Sequence, residues 1–164
     1  MNLPPYSNFP ELISDNLILR KIVNGDIESL IEISFYDARP AVTAKDAAEM
    51  QERINLDYQN GSSIHWGIAD KKTNLIMGTV GYYRGFENGA GELGCVLKPK
   101  FQGKGFMTEA MNLAIDFGIN DMELKNIEAI TSKDNLPAIQ LLERLNFVKI
   151  KDLDDDELEY RFVK

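Results

Sequence analysis

The sequence predicts a mixed α/β fold whose elements follow one another in the order β-α-α-β-β-β-α-β-α-β-β. Two observations carry this prediction. Helical periodicity gives way after Ile64 to short segments with strand character, and one later helix lies between two apolar strand-like segments, the pattern of a parallel βαβ crossover. Because the 164 residues contain neither an internal repeat nor a linker, we expect residues 1–164 to form a single domain.

The N-terminal part is predicted to contain one strand and two helices. Apolar side chains alternate in residues 16–23, as they do in a short strand that enters a domain. Apolar residues between positions 27 and 35 favour a first helix. A second helix is expected over residues 44–60, with Thr43 as its N-cap and Gly61 as its end.

The rest of the chain is predicted to form six strands and two helices. Three strands, HWGIAD, LIMGTVGYY and ELGCVL, are separated by turn residues and form an antiparallel meander. The apolar residues of the next helix recur at helical spacing: Phe106, Ala110, Leu113, Ala114 and Phe117. The segment NIEAIT completes the crossover, and a helix over residues 136–145 and two strands, FVKIK and LEYRFV, close the chain.

Charge and cysteine content narrow the classes of function. The net charge of −8 repels polyanions and disfavours a nucleic-acid partner. The only cysteine, Cys95, forms neither a disulfide framework nor a metal cluster, and we expect no metal. The N-terminus lacks a basic segment followed by an apolar run, and no apolar stretch reaches the roughly 18 residues of a membrane span. We therefore expect a cytoplasmic protein without a membrane partner.

The segment KPKFQGKGFMTEA links the crossover strand to its helix and predicts an anion site. Gly103 and Gly105 permit a tight turn, and the free N–H groups at the start of the helix point towards a ligand. Thr108 adds a hydroxyl in the first turn. Positive charge is concentrated in the same segment, at Lys98, Lys100 and Lys104. Taken alone, these residues are also compatible with a plain tight turn.

Two other phosphate-binding motifs do not fit this loop. A P-loop requires GxxxxGK[ST], whereas the glycines and lysine of residues 103–105 are followed by Phe106. A dinucleotide-binding fingerprint requires a third glycine, and Glu109 and Ala110 lie near the place where it is needed.

The same loop and two further segments resemble a known family. Residues 102–107 (QGKGFM) match the pattern Gln/Arg-x-x-Gly-x-Gly/Ala of the GNAT N-acetyltransferases, with Met107 at the last position as the departure. The segments FPELISDNLILRKI, ELGCVLKPKFQGKGFMTEA and IEAITSKDNLPAIQLLERLNF resemble the branch that acetylates ribosomal-protein N-termini. This similarity spans roughly residues 9–150.

The resemblance implies a GNAT fold in which the crossover strand and the next parallel strand splay apart to admit acetyl-CoA. Asn135 matches a residue that contacts the pantetheine region or holds the cleft, and a role as N-cap of the next helix is compatible with this. The resemblance also assigns cofactor binding to the end of the crossover strand, where the amides of residues 95–98 are expected to be otherwise unpaired, and to the loop and helix start. These residues are Cys95, Val96, Leu97, Lys98, Gln102, Gly103, Lys104, Gly105, Phe106, Met107 and Thr108.

Acetyl transfer to an amine requires a base, an oxyanion site and a proton for the departing thiolate. Glu92 is the candidate base, acting through a water, and a solvated edge carboxylate is its alternative role. Backbone N–H groups near Val96 are the expected oxyanion donors. The resemblance places the general acid at Leu142, which cannot donate a proton, and a serine of the branch at Ala138. The thiolate is therefore expected to receive its proton from Ser132 or a bound water, or to leave unassisted.

The expected function is acetyl-CoA-dependent N-acetyl transfer to a primary amine, namely a peptide N-terminus, a polyamine or a small amine. A non-catalytic acyl-CoA-binding module of the same fold is the alternative, and a homodimer is left open. His65 is expected to pack against aromatic rings or lie at the surface rather than act as a base. Cys95 is expected to be a small buried residue rather than a partner in a mixed disulfide with coenzyme A. The acidic residues 152–157 are expected to form a solvated turn.

Overall fold

The computed structural model describes residues 1–154 and 156–164. Their strands are β1 Leu12–Ile13, β2 Leu17–Arg20, β3 Phe35–Tyr36, β4 Arg39–Pro40, β5 Ile64–Asp70, β6 Ile76–Tyr82, β7 Ala90–Leu97, β8 Asn126–Ser132, β9 Phe147–Asp152 and β10 Glu157–Phe162. Their α-helices are α1 Ile27–Leu30, α2 Ala44–Gln59, α3 Phe106–Asn120 and α4 Leu136–Arg144. Eight strands form one mixed sheet in the order β1-β2-β5-β6-β7-β8-β10-β9, which confirms the predicted fold class. The predicted acidic turn between β9 and β10 includes Asp155, which lies outside the described residues.

The segment between β2 and α2 departs from the predicted single helix. Only α1 is α-helical there, and 3₁₀ turns flank it at Asn24–Asp26 and Ile31–Ile33. Strands β3 and β4 then form a hairpin whose turn holds Asp37 and Ala38 at φ 48° and 59°. The prediction of a helix to residue 35 is wrong because β-branched isoleucines favour helix weakly and the chain reverses direction in the hairpin.

Helix α2 closely follows the prediction. The Thr43 hydroxyl accepts a hydrogen bond from the Asp46 N–H at 3.1 Å, and the Asp46 carboxylate accepts one from the Thr43 N–H at 2.8 Å. These reciprocal bonds form a capping box that fixes the start of the helix. Gly61 follows the helix at φ 76°, a left-handed conformation that glycine adopts without steric cost.

The antiparallel meander β5-β6-β7 lies at the centre of the sheet, and helix α3 connects β7 to the parallel strand β8. The parallel pairing covers only three residue pairs and ends at Glu92↔Glu128. Beyond this pair, β7 continues to Leu97 beside β6, while β8 continues to Ser132 beside β10. The two central strands therefore splay apart, as the resemblance implied.

Apolar layers cover both faces of the sheet. On one face, α3 and α4 pack on a core that includes Trp66, Tyr82 and Leu142. Met77 belongs to this core, and its neighbour Ile76 belongs to a smaller cluster beneath α1 and α2 on the other face. The β5–β6 register shifts at this point, between Ile68 and Ala69. Because α1 and α2 lie over β5 and β6, the region where β7 leaves β8 stays open. None of the helices in the described residues combines the length and apolar character needed to cross a bilayer.

Candidate active site

A cavity of about 820 Å³ occupies the cleft between the splayed strands. Residues 92–96 of β7 form one wall, residues 129–131 of β8 form the opposite wall, and α4 closes the side next to β8. Residues of the β3–β4 hairpin and of α2 cover the far side. The cavity thus connects the two faces of the sheet through the gap between β7 and β8.

Glu92 lies at the apex of this cleft, as the third residue of β7 and a member of the last parallel pair. Its side chain is 21% exposed, and a carboxylate oxygen lies 3.2 Å from Nε of Arg84. Burial raises the pKa of Glu92, Arg84 opposes the rise, and the nearby carboxylates of Glu157, Glu128 and Glu159 add to it. A carboxylate with a raised pKa holds a proton more strongly and is a better base near neutral pH.

The charged side chains that line the cavity are mainly acidic. The Tyr36 hydroxyl donates a hydrogen bond to the Asp57 carboxylate at 3.0 Å, which orients that group within the wall. Among the described lining residues, Arg84 is the only lysine or arginine. The lining carboxylates are those of Asp37, Asp57, Glu92 and Glu157. This arrangement favours a positively charged ligand.

His65 lines the same cavity but is unsuited to act as a base. Its ring packs edge-on against the Tyr83 ring, with 4.2 Å between ring centroids. Burial lowers the pKa of His65 to about 3, so the imidazole is neutral and weakly basic at physiological pH. The predicted packing against an aromatic ring is confirmed.

The backbone of β7 presents free N–H groups to the cleft in an alternating pattern. Lys98 N–H donates to Met77 O at 2.9 Å, so the expectation that all amides from Cys95 to Lys98 are unpaired is wrong. Antiparallel ladders alternate between hydrogen-bonded and non-hydrogen-bonded pairs, and this alternation directs Val96 N–H to its partner Thr79. The N–H groups that face β8 are those of Cys95 and Leu97.

The loop after β7 has the geometry of an anion site. Gly103 and Gly105 have φ values of 73° and 83°, in the left-handed region, and no other atom lies within 4 Å of where their Cβ would be. Gly105 is the N-cap of α3 and has no capping side chain, so the first N–H groups of the helix are open to a ligand. The Gln102 side-chain amide donates to Leu97 O at 3.0 Å and ties the loop to β7. These features fit the pyrophosphate of coenzyme A.

The lysines of this segment divide into two groups. Lys98 is buried, and its Nζ lies 4.0 Å from a carboxylate oxygen of Glu32 beside α1. Lys100 and Lys104 lie over the Phe101 ring, with Nζ 5.0 and 6.0 Å from its centroid. The predicted cluster of three cations is therefore reduced to two at the loop, because the side chain of Lys98 is directed to the α1 side of the sheet.

The first turn of α3 is anchored to the N-terminal strands by Glu109. Its Oε1 accepts hydrogen bonds from Ser14 Oγ at 2.5 Å and Asn16 N–H at 3.0 Å, and its Oε2 accepts one from Asn16 Nδ2 at 3.1 Å. Burial opposes ionisation, but these hydrogen bonds outweigh it, so the pKa of Glu109 is lowered. Phe106 and Met107 of the same turn pack partly against the main core, and Thr108 is half-buried.

The wall near α4 contains one hydroxyl that sequence reasoning missed. Thr131 is only 9% exposed and lines the cavity, whereas Ser132 is exposed at the end of β8 and does not line it. Leu142 and Ala138 are apolar neighbours in the same wall. Strand alternation within NIEAIT was the available signal, because its last residue, Thr131, shares a face with the buried Ala129.

Asn135 and Cys95 also have defined positions. The Asn135 side chain accepts a hydrogen bond from Ala138 N–H at 3.3 Å, which confirms its role as N-cap of α4, and it also lines the cavity. The Cys95 thiol lies 3.4 Å from the Met111 sulfur on the α3 side. Burial raises the pKa of Cys95 to about 12, so the thiol is unreactive at neutral pH.

Comparisons with known proteins agree on one family. The profile of the acetyltransferase (GNAT) domain matches residues 16–148. The uncharacterized N-acetyltransferase p20 of Bacillus licheniformis is 32% identical over 146 residues, which cover 84% of this chain and 82% of that protein. A ribosomal-protein-alanine acetyltransferase from Vibrio fischeri has a TM-score of 0.76 at 20% identity, covering 94% of this chain and 96% of its own. A dodecameric spermidine N-acetyltransferase from Vibrio cholerae has a TM-score of 0.73 at 20% identity, covering 90% and 92%.

Proposed function

We propose that this chain, which belongs to the GNAT family of N-acetyltransferases, transfers the acetyl group of acetyl-CoA to a primary amine carrying a second positive charge. The position of Glu92 carries the proposal. Its carboxylate lies where β7 and β8 separate, its pKa is raised, and the cavity that it faces has mainly acidic charged walls.

The cofactor side of the site is assigned to the α3 loop and the end of β7. Acetyl-CoA supplies a thioester whose carbonyl carbon can be attacked by an amine. The N–H groups at the start of α3, together with Lys100 and Lys104, bind the pyrophosphate, and the bare glycines of the loop allow close approach. The N–H groups of Cys95 and Leu97 bind the pantetheine arm and the developing oxyanion, in place of the Val96 N–H expected from sequence.

Proton removal is assigned to Glu92. An amine arrives as an ammonium ion at neutral pH and must lose a proton before its nitrogen can attack a carbonyl carbon. Glu92 accepts that proton, directly or through a water, and its raised pKa brings it closer to neutrality. Arg84 limits this rise, so the ion pair sets the working pH range of the base.

The acidic wall supports a dicationic acceptor. Once one amino group of such an acceptor is deprotonated beside Glu92, the second cation faces the carboxylates of Asp57, Asp37 or Glu157. The net charge of −8 adds a field of the same sign. The Vibrio cholerae spermidine N-acetyltransferase, which shares the fold, is named for an acceptor of this class.

A matched pair of acceptors tests the proposal. The release of free coenzyme A thiol is measured with 1,4-diaminobutane and with its mono-N-acetyl derivative, which keeps one amine and loses the second cation. We expect kcat/KM to be about tenfold higher for the diamine, which corresponds to about 1.4 kcal/mol of added electrostatic attraction.

Two outcomes contradict parts of this proposal. Equal kcat/KM values for the two acceptors would reject the cationic acceptor and leave the acetyltransfer itself in place. Binding of acetyl-CoA by calorimetry, with no thiol release from any amine in a panel that includes peptides with free N-termini, would instead favour the non-catalytic acyl-CoA-binding module. Leu142, where the resemblance places the general acid, and Ala138, where it places a serine, motivate this second outcome.

A further inference from the structure

Thr131 presents a buried hydroxyl to the cofactor side of the cleft. The residue is nine-tenths buried, pairs with Leu158 of β10, and lies on the sheet face that packs against α3 and α4. Leu142 lies in α4, which packs against β8, and it lines the same cavity. Thr131 therefore lies in the strand that packs against the helix in which the resemblance places a general acid.

The hydroxyl has no hydrogen-bond partner among the side chains and backbone groups of the described residues. Buried hydroxyls normally have a hydrogen-bond partner. Among the described residues, the fully enclosed side-chain atoms that lack a partner are Ser63 Oγ and Arg161 Nε. Because Thr131 lines the cavity and its oxygen is not among these enclosed atoms, the hydroxyl opens into the cleft. It is available to a ligand there.

Three nearby side chains offer no donor to a sulfur anion, whereas Asn135, whose oxygen caps α4, also carries amide N–H donors in the cavity. Leu142 and Ala138 are apolar, and the Cys95 thiol is directed to Met111. An aliphatic hydroxyl has a pKa far above the roughly 8.5 of a thiol, so Thr131 can donate a hydrogen bond to a thiolate but cannot transfer its proton to it.

We infer that the Thr131 hydroxyl donates a hydrogen bond to the sulfur of the leaving coenzyme A thiolate, an inference that rests on the proposed acetyl transfer. The amine nitrogen forms a bond to the carbonyl carbon, and the carbon–sulfur bond breaks with its electron pair on sulfur. One proton of the arriving ammonium ion passes to Glu92 before the attack, and the second proton, which the nitrogen loses as the amide forms, passes to water. The thiolate departs as an anion stabilised by Thr131 and takes its proton from water.

Three variants test this assignment. Thr131→Val keeps the shape and removes the hydroxyl, whereas Thr131→Ser keeps the hydroxyl. We expect kcat to fall roughly tenfold in the valine variant, as for loss of one hydrogen bond to a charged group, and to recover in the serine variant. Ser132→Ala tests the hydroxyl that the sequence had suggested. Thermal unfolding of each variant reports whether the fold is retained.

A binding measurement separates a role at sulfur from a structural role. The affinities for coenzyme A and for desulfo-coenzyme A are compared by calorimetry at pH about 9, where a free thiol is mostly ionised. The preference for coenzyme A should shrink about tenfold in Thr131→Val and persist in Thr131→Ser. An unchanged preference in Thr131→Val, or a loss of preference only in Ser132→Ala, would overturn the inference. Because this comparison needs no acceptor amine, its result does not depend on whether the proposed amine acetylation is observed.

Discussion

Removal of the Arg84 cation should move the pH profile of the enzyme to higher pH. Nε of Arg84 lies 3.2 Å from the Glu92 carboxylate, with side-chain exposures of 71% and 21%. Two unit charges at this separation interact by about 1.3 kcal/mol in water-like surroundings, and the exposure of Arg84 reduces this to about 0.5 kcal/mol. Since one pKa unit equals about 1.4 kcal/mol, Arg84→Gln should raise the pKa of Glu92 by about 0.4 units.

The acid limb of kcat/KM against pH, which reports the base of the free enzyme, measures this shift. Its midpoint should rise by about 0.4 pH units in Arg84→Gln and stay in place in Arg84→Lys, which keeps the charge. In about 1 M salt the wild-type profile should approach that of the glutamine variant, because the Debye length falls to about 3 Å. A midpoint that does not move, or moves to lower pH, would show that Glu92 is not the group that titrates.

Two further predictions concern the presentation of the cofactor loop. Gly105→Ala should lower the free energy of unfolding, measured by urea titration, by about 1 kcal/mol and should weaken coenzyme A binding, measured by calorimetry. The cause is the backbone, because a Cβ at Gly105 would meet no neighbour but the φ of this residue is 83°. Gly25→Ala is the control, since Gly25 also has open space but lacks a positive φ, and it should change neither quantity much. Glu109→Gln should cost about 1 kcal/mol at neutral pH. The pKa of Glu109 is lowered in the fold, so its contribution is present above the unfolded pKa of about 4.3 and is lost as pH falls through the lower folded value; a difference from wild type that persisted in urea titrations at pH about 2 would contradict this.

Elements with strong local signals could be predicted from the sequence. The capping residues of α2, the meander and the crossover follow from letters close together in the chain, so their prediction needs no tertiary information. The glycines of the loop likewise indicate their left-handed conformation, since few other residues adopt it. The single domain and the homodimer stay predictions.

Features that depend on distant partners could not be predicted in this way. The direction of the Lys98 side chain is decided by burial and by Glu32, 66 positions earlier in the chain, and no local pattern reports that contact. Which N–H groups of β7 are free depends on which alternate residues bond to β6. A shift of the register by one residue would exchange the roles of the Val96 and Leu97 N–H groups. The choice between Thr131 and Ser132 depends on the same alternation in β8.

The short parallel pairing of β7 with β8 has a consequence for the size of the acyl group that the cleft can accept. At the Glu92↔Glu128 pair the strands are at hydrogen-bonding distance, about 4.8 Å, and beyond it they are no longer paired with each other up to their ends at Leu97 and Ser132. Under the proposed acetyl transfer, we expect a thioester to enter from the wide end and to stop where its acyl group touches both walls. We therefore expect longer acyl groups to hold the carbonyl carbon farther from Glu92, so that the angle between the two strands limits the length of the group that can be transferred.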